Sequence, residues 1–330
     1  MLIVWGQFLL VAGLIAWSGS RVARAADALA ESSGLGRVWM GAILVAAVTS
    51  LPELVTGLVA VTLANAPDLA VGDLFGSCVF NLTLLALVDA VYRGGALYAK
   101  LDRTHLVAAA YGLLMFALAG FGLATPASHG TPVVALVVTP VIAATYLLAA
   151  RSVHHETRPT LDALSPAPVR ADPRDVRAFV LWSLVVVASG TGMPFVASRL
   201  AEVMHWEQSF VGGLFVAAST SLPEIAVTLH AARIGAVDLA VGNLLGSNLF
   251  NLLLLGLDDL AWTRGPLLAD VDPRNAVHLL TASAMTAVFI IGVTRRLRAR
   301  RFGLGGGASW LILLLYFANA VLLYQREAAP

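Results

Sequence analysis

Ten stretches of roughly 20 mainly apolar residues run the length of the chain, each long enough to cross a bilayer as a helix. They fall at about 2–20, 38–64, 68–91, 104–123, 131–150, 178–201, 209–232, 238–262, 275–294 and 307–325. A chain built this way has few options in water. Its residues are 58% hydrophobic and 12% charged, against about 25% charged in an ordinary soluble domain. The expected fold class is therefore an all-α membrane protein of ten transmembrane helices. The N-terminal segment MLIVWGQFLLVAGLIAW lacks the positive leader and small-residue cleavage site of a signal peptide, and reads as the first span. The single cysteine, Cys78, rules out an internal disulfide. No basic run is interleaved with aromatics, which excludes nucleic acid as a partner.

The basic residues predict the orientation. All but four of the 21 Lys and Arg fall on one side of the ten spans. That side holds Arg21, Arg24, Arg37, Arg93, Lys100, Arg103 and Arg233, the arginines of the 151–177 stretch, and the 295–301 cluster. The other side has only Arg199, Arg264, Arg274 and Arg326. Basic residues are retained in short cytoplasmic loops, so both termini are expected outside a plasma (inner) membrane. The Pro- and Arg-rich 151–177 stretch is then a cytoplasmic linker, too short for a folded domain.

An internal repeat divides the chain. GAILVAAVTSLPELV (41–55) matches GGLFVAASTSLPEIA (212–226), and DLAVGDLFGSCVFNLTLLALVD (68–89) matches DLAVGNLLGSNLFNLLLLGLDD (238–259). Shared apolar bias does not produce identical polar residues inside a membrane. Equivalent helices are five spans apart, an odd number, so the two copies would enter the membrane from opposite sides. This predicts two inverted five-helix repeats: residues 1–150 with the motif 41–89, and 178–330 with the motif 212–259. In such transporters the binding site forms near the midplane where the repeats meet.

Each copy carries T-S-L-P-E in mid-span. Glu53 and Glu224 lie deep in apolar segments, where a carboxylate costs at least ~2.5–3.5 kcal/mol. The four repeat helices offer no basic residue at matching depth. A transported cation is the natural counter-charge; a protonated, hydrogen-bonded glutamate joining two helices is the alternative. Pro52 and Pro223 remove an N–H from the helix ladder, leaving carbonyls near Val48, Thr49, Ser219 and Thr220 without donors. Such carbonyls are tolerated where they line an enclosed cavity, and hard cations take oxygen ligands of this kind. Helical spacing puts Ala46, Thr49 and Ser50 on the face of Glu53, and Ala217, Thr220 and Ser221 on that of Glu224. Asp73, Ser77 and Asn81 form a polar stripe on the next helix, with Asn243, Ser247 and Asn251 as its twin. The pairs Gly72/Gly76 and Gly242/Gly246 run beside the stripes and permit close helix approach. Asp73, near one end of its span, reads as a mouth residue that attracts cations. Asp89 and Asp259 read as solvated helix ends, and Cys78 as packing.

These motifs resemble the alpha repeats of the sodium/calcium exchanger superfamily, in particular the prokaryotic Na⁺/Ca²⁺ antiporter type. The likeness rests on T-S-L-P-E at 49–53 and 220–224, G-S-C-V-F-N at 76–81, G-S-N-L-F-N at 246–251, and the five-plus-five layout. The resemblance implies that Glu53 and Glu224 hold Ca²⁺ with the backbone oxygens of Thr49 and Thr220. It implies flanking Na⁺ sites from Ser50, Ser77, Ser221 and Ser247 with the carbonyls of Ala46 and Ala217, and a centre completed by Asn81 and Asn251. It also implies that the first and sixth spans slide across a rigid core. Two departures stand out. Val48 and Ser219 replace a common Gly, and Asn251 stands where potassium-dependent members carry Asp, which argues against K⁺ co-transport.

The expected activity is antiport of Na⁺ against Ca²⁺ by alternating access, with no cofactor and no enzymatic chemistry; a monomer is compatible with the sequence. H⁺-coupled exchange of Ca²⁺ or another divalent ion is the nearest alternative, and a cation channel the alternative of a different class. An intramembrane enzyme would need a buried base beside Ser50 or Ser221. The four repeat helices offer only His230, near an end.

Overall fold

The computed structural model describes residues 1–33, 45–92, 95–125, 137–164, 172–296 and 306–327. Its elements are helices throughout: α1 (Leu2–Ser33), α2 (Ala46–Thr49), α3 (Leu51–Thr62), α4 (Pro67–Val91), α5 (Leu97–Lys100), α6 (Thr104–Ala124), α7 (Thr139–Leu164) and α8 (Pro173–Met204). Then come α9 (Gln208–Phe210), a wide π-helical stretch Val211–Val216, α10 (Ala217–Thr220), α11 (Leu222–Arg233), α12 (Val237–Ala261), α13 (Leu267–Asp270), α14 (Asn275–Thr294) and α15 (Gly307–Glu327). Among the described residues, seven helices are long and apolar enough to cross a membrane unaided, and an eighth candidate is the pair Gln208–Thr220 and Leu222–Arg233, bent by 47°. Leu51–Thr62 and Thr139–Val153 are apolar but shorter. The segments before them, 34–44 and 126–136, lie outside the described residues. The chain is a multi-pass membrane protein, with Leu10, Leu147, Leu184, Leu280 and Leu314 among the large apolar side chains left on its outer surface.

Helices α4 and α12 form the core. In their most apolar windows 72% and 83% of residues are buried, against 33% for α1 and 28% for α8. The last two pack along each other at the periphery. Two glycines let this outer pair lie against the broken helices. A Cβ on Gly19 of α1 would strike the Pro223 ring, and one on Gly190 of α8 would come within 3.0 Å of Val55 Cγ1. Gly72 and Gly76 of α4 meet the backbone of Ser209 and Gly213, so the first of the two expected close-approach pairs lies against the second broken helix.

The polar ends of the core helices are structured by carboxylates, which corrects the reading of Asp89 and Asp259 as solvated. Both are buried. Asp89 Oδ1 accepts from the Leu97 amide (3.4 Å), and its Oδ2 accepts from the Gly306 amide (2.7 Å) and Ser309 Oγ (2.6 Å). Asp259 Oδ1 accepts from the Leu267 amide (2.7 Å), and its Oδ2 from Thr139 Oγ1 (2.5 Å). Turns after the spans bring unpaired N–H groups back over the helix ends, and buried amides require acceptors. A second recurring contact fixes the opposite ends. Asp68 Oδ1 accepts from the Asp272 amide (2.6 Å), and Asp238 Oδ1 from the Asp102 amide (3.1 Å). The α7 helix continues to Leu164, well into the stretch expected as linker. The change from apolar to polar residues marks where the helix leaves the apolar layer, not where it stops.

Candidate functional site: a buried carboxylate centre at two helix breaks

The two T-S-L-P-E segments break their helices in the same way. Ser50 has φ −84°, ψ 15°, and Ser221 has φ −82°, ψ 8°, each ending a short helical turn. Proline is favoured in the first turn of a helix, where its missing N–H is not needed. With Pro52 and Pro223 in that position the helices restart as α3 and α11. Glu53 and Glu224 therefore sit in a first turn, where unpaired amides and the helix dipole favour a negative charge. The preceding turns, α2 and α10, present their carbonyl ends to the same gap, which suits a cation.

The breaks are joined by crossed hydrogen bonds. Ser221 Oγ donates to Glu53 Oε1 (3.2 Å), and Ser50 Oγ donates to Glu224 Oε1 (3.3 Å). Ser247 Oγ of α12 also donates to Glu224 Oε1 (3.3 Å), and Thr49 Oγ1 lies 3.5 Å from Ser247 Oγ. Both glutamates are fully buried, and each keeps a second oxygen, Oε2, without a partner among the described residues. Neither is in an ion pair with a described basic residue. A hydroxyl hydrogen bond to a charged group is worth about 1.5–3 kcal/mol. That falls short of what a dry carboxylate loses on leaving water.

The remaining predicted residues are placed unevenly. The Ala46 carbonyl accepts from the Ser50 amide (3.0 Å) and Thr49 Oγ1 (3.2 Å). Likewise the Ala217 carbonyl accepts from the Ser221 amide (3.1 Å) and Thr220 Oγ1 (3.3 Å). Both carbonyls are engaged within their own turn, so ligating an ion would require the threonine hydroxyls to turn away. Asn81 Nδ2 donates to Asn248 Oδ1 (3.1 Å), while both amide atoms of buried Asn251 lack a partner among the described residues. Ser77 Oγ donates to Asp73 Oδ1 (3.4 Å).

Asp73 is not a mouth residue. It is fully buried, and its Oδ1 also accepts from Thr220 Oγ1 (3.0 Å), which ties it to the second helix break. Its place near one end of α4 in sequence misleads, because the packed turns around Ser209–Gly213 cover that end of the helix. Two further residues escaped the sequence reading. Asn248 bonds Asn81 and donates to the Cys78 carbonyl (3.2 Å), and Asp258 is a buried carboxylate on α12. Their signal was available: each is polar where its twin in the other repeat, Cys78 or Val88, is not.

An all-helical multi-pass fold with two buried carboxylates, cross-bonded by serines at two helix breaks, has the make-up of a membrane ion transporter. More narrowly, the chain belongs to the sodium/calcium exchanger protein family, whose model matches residues 3–151 and 176–325. It is 28% identical over 332 residues to the inner membrane protein YrbG of Escherichia coli K12, covering 96% of this chain and 98% of that one. It is 36% identical over 88 residues to the sodium/calcium exchanger MaX1 of Methanosarcina acetivorans, covering 26% of this chain and 25% of that one. Among solved structures, the sodium-calcium exchanger NCX_Mj soaked with Na⁺ and Sr²⁺ shares the fold, with TM-score 0.64 at 21% identity over 97% of this chain and 98% of that one.

Proposed function

We propose that the chain is a secondary antiporter that exchanges Na⁺ for Ca²⁺ by alternating access, binding its ions between Glu53 and Glu224. The observation that carries this reading is the pair of buried carboxylates, cross-bonded by Ser221 and Ser50, each with one oxygen left over. Two carboxylates bring −2 to a dry centre. One Ca²⁺ or two Na⁺ would neutralise it, while an empty centre keeps its charge and resists moving between the two faces. Obligatory exchange follows from that difference. A third Na⁺ would leave +1 and make the cycle electrogenic, at ~2.3 kcal/mol per charge per 100 mV.

Several features support ten spans in two inverted repeats. The breaks at Ser50 and Ser221 have matching geometry, and the Asp89/Asp259 and Asp68/Asp238 contacts recur in both halves. In this reading the oxygens of Thr49, Thr220, Ser77, Ser247, Asn81 and Asn251 contribute to the ion sites, with the carbonyls of Ala46 and Ala217 joining once the threonine hydroxyls turn aside. The peripheral pair α1 and α8, riding on Gly19 and Gly190, is the part that slides. The basic residues favour termini outside the membrane and the 151–177 stretch in the cytoplasm.

The H⁺-coupled alternative is favoured by one observation: buried Asp73 adds a third carboxylate tied to the centre through Thr220. Uptake of radiolabelled Ca²⁺ into reconstituted vesicles, with Na⁺ and pH gradients imposed separately, tests both. Uptake driven by outward Na⁺ at constant pH is expected. Uptake driven by pH alone would replace Na⁺ with H⁺ as the coupling ion, and single-channel currents without counter-ion dependence would overturn antiport altogether.

A further inference from the structure

The core helices α4 and α12 meet through a chain of side-chain amides that runs in one direction. Asn248 Nδ2 of α12 donates to the Cys78 carbonyl of α4 (3.2 Å), and Asn248 Oδ1 accepts from Asn81 Nδ2 (3.1 Å). The direction is set at the first link. A backbone carbonyl only accepts, so the Asn248 amide must turn its N–H₂ group toward Cys78. Its oxygen then faces Asn81, which must answer with N–H₂, and the Asn81 oxygen is left at the far end. That oxygen, Asn81 Oδ1, is enclosed and has no partner among the described residues, whereas both ends of the Asn248 amide are engaged.

The chain ends beside the glutamate pair. Ser247, the residue before Asn248, donates to Glu224 Oε1 (3.3 Å), so the Asn81–Asn248 contact lies at the level of that carboxylate. Asn81 stands one turn after Ser77 on the same face of α4. Ser77 leads through Asp73 Oδ1 (3.4 Å) to Thr220 Oγ1 at the second helix break (3.0 Å). The arrangement exists in one half only. The twin of Asn248 is Cys78, whose thiol points to the Asn248 carbonyl (3.9 Å). Asn251, the twin of Asn81, has both amide atoms without a partner among the described residues. One amide near the centre is held at its nitrogen; its counterpart is not.

We infer that Asn248 is a positioning residue for ion binding: it fixes the Asn81 amide so that the side-chain oxygen, not the N–H₂ group, faces the Glu53/Glu224 centre. The inference rests on the antiport reading above, in which Asn81 supplies an ion ligand, and adds to it the residue that gives this ligand its polarity. The two ends of a carboxamide have nearly the same shape, so hydrogen bonds and not packing choose between them. The choice decides binding, since a hard cation such as Ca²⁺ takes the oxygen and is repelled by the N–H₂ end. Without Asn248 the N–H₂ group of Asn81 would lose its acceptor. A half-turn of the amide would then bring that group to bear on the carboxylates, where it would compete with the cation. Partners behind a ligand orient it in this way in metal sites generally.

The test is a double-mutant cycle in reconstituted vesicles holding the full chain. Asn248→Cys installs the residue of the twin position, and Asn248→Leu keeps the volume without the hydrogen bonds; each is made alone and together with Asn81→Ala. Alone, both should raise the Ca²⁺ concentration for half-maximal exchange about tenfold, the size of one hydrogen bond, and leave the maximal rate within about twofold. Added to Asn81→Ala, which has no amide to orient, neither should move that concentration by more than about twofold. The same cycle read as Ca²⁺ protection against thermal unfolding in detergent serves if Asn81→Ala exchanges too slowly to measure. A merely structural role would act in both backgrounds alike. No shift in the wild-type background, an equal shift in both, or a lower maximal rate at an unchanged half-maximal concentration would overturn the inference, and so would failure of both Asn248 variants to fold. Wild-type vesicles that fail to exchange Ca²⁺ for any counter-ion would overturn the antiport reading, and this inference with it; a wild type that exchanges Ca²⁺ beside an additive cycle would sink this inference alone.

Discussion

Glu224→Gln isolates the charge of one central carboxylate from its shape. The amide oxygen of Gln can stand where Glu224 Oε1 stands, keeping the hydroxyl bonds from Ser50 and Ser247 at 3.3 Å each. The change falls on the other atom: the unpartnered Oε2 becomes an N–H₂ group that repels a cation. A unit negative charge about 2.4 Å from Ca²⁺ contributes a gross attraction of about 14 kcal/mol at an effective dielectric of 20. Most of this is offset by the water each partner gives up. If only a fifth survives, ~3 kcal/mol remains, more than a hundredfold in affinity. The variant is therefore expected to unfold within a few degrees of wild type in detergent while Na⁺-driven Ca²⁺ uptake falls by at least about a hundredfold at fixed low Ca²⁺. Ca²⁺ uptake and Ca²⁺ affinity within about threefold of wild type, in a variant shown to be folded, would refute the central role of this carboxylate.

Other outcomes follow from the same geometry. Gly190→Val brings a branched side chain against Val55 and the Pro52 carbonyl; it should slow turnover several-fold while Ca²⁺ protection against thermal unfolding persists, and loss of that protection would place the damage at the ion site instead. Gly76→Ala pushes a methyl into the Gly213 backbone, and overpacking of about 1–3 kcal/mol should lower the melting temperature in a fluorescence-based thermal scan. Asp259→Ala strips the acceptor from the Leu267 amide and Thr139; it should destabilise the solubilised protein by about 1–3 kcal/mol, and an unchanged melting profile would show that the cap contributes nothing. Asn251→Asp adds a charge where both amide atoms lack partners among the described residues, and should change the Na⁺ or pH dependence of exchange; an identical profile would remove Asn251 from the centre.

Much of the candidate site was legible in the sequence because the repeat supplied its residues twice. Glu53 and Glu224, with Ser50 and Ser221, were marked by proline in mid-span, and the same prolines explain why the helices restart one residue after each serine. What symmetry marked, it also biased. Distance from the end of an apolar run places Asp73 near water, yet burial depends on what covers a helix end, and the helical segment Ser209–Gly213 covers this one. Asp89 and Asp259 were misread in the same way, since their partners are amides from turns and hydroxyls on distant helices that hydropathy does not place. Asn248 and Asp258 stand where the repeats differ, so the repeat does not mark them. The crossed bonding was also invisible in one dimension: spacing put Ser50 beside Glu53, whereas its hydroxyl serves Glu224.

That crossing has a consequence for how such a chain can be divided. Each glutamate draws a serine donor from the opposite half, so neither half contains a finished site, and a fragment ending in the middle of the chain would bury an acid with nothing to steady it. Two separately expressed halves would have to find each other inside the lipid before either could hold an ion, and a solitary half could regain its missing hydroxyl only by pairing head to tail with a second copy of itself.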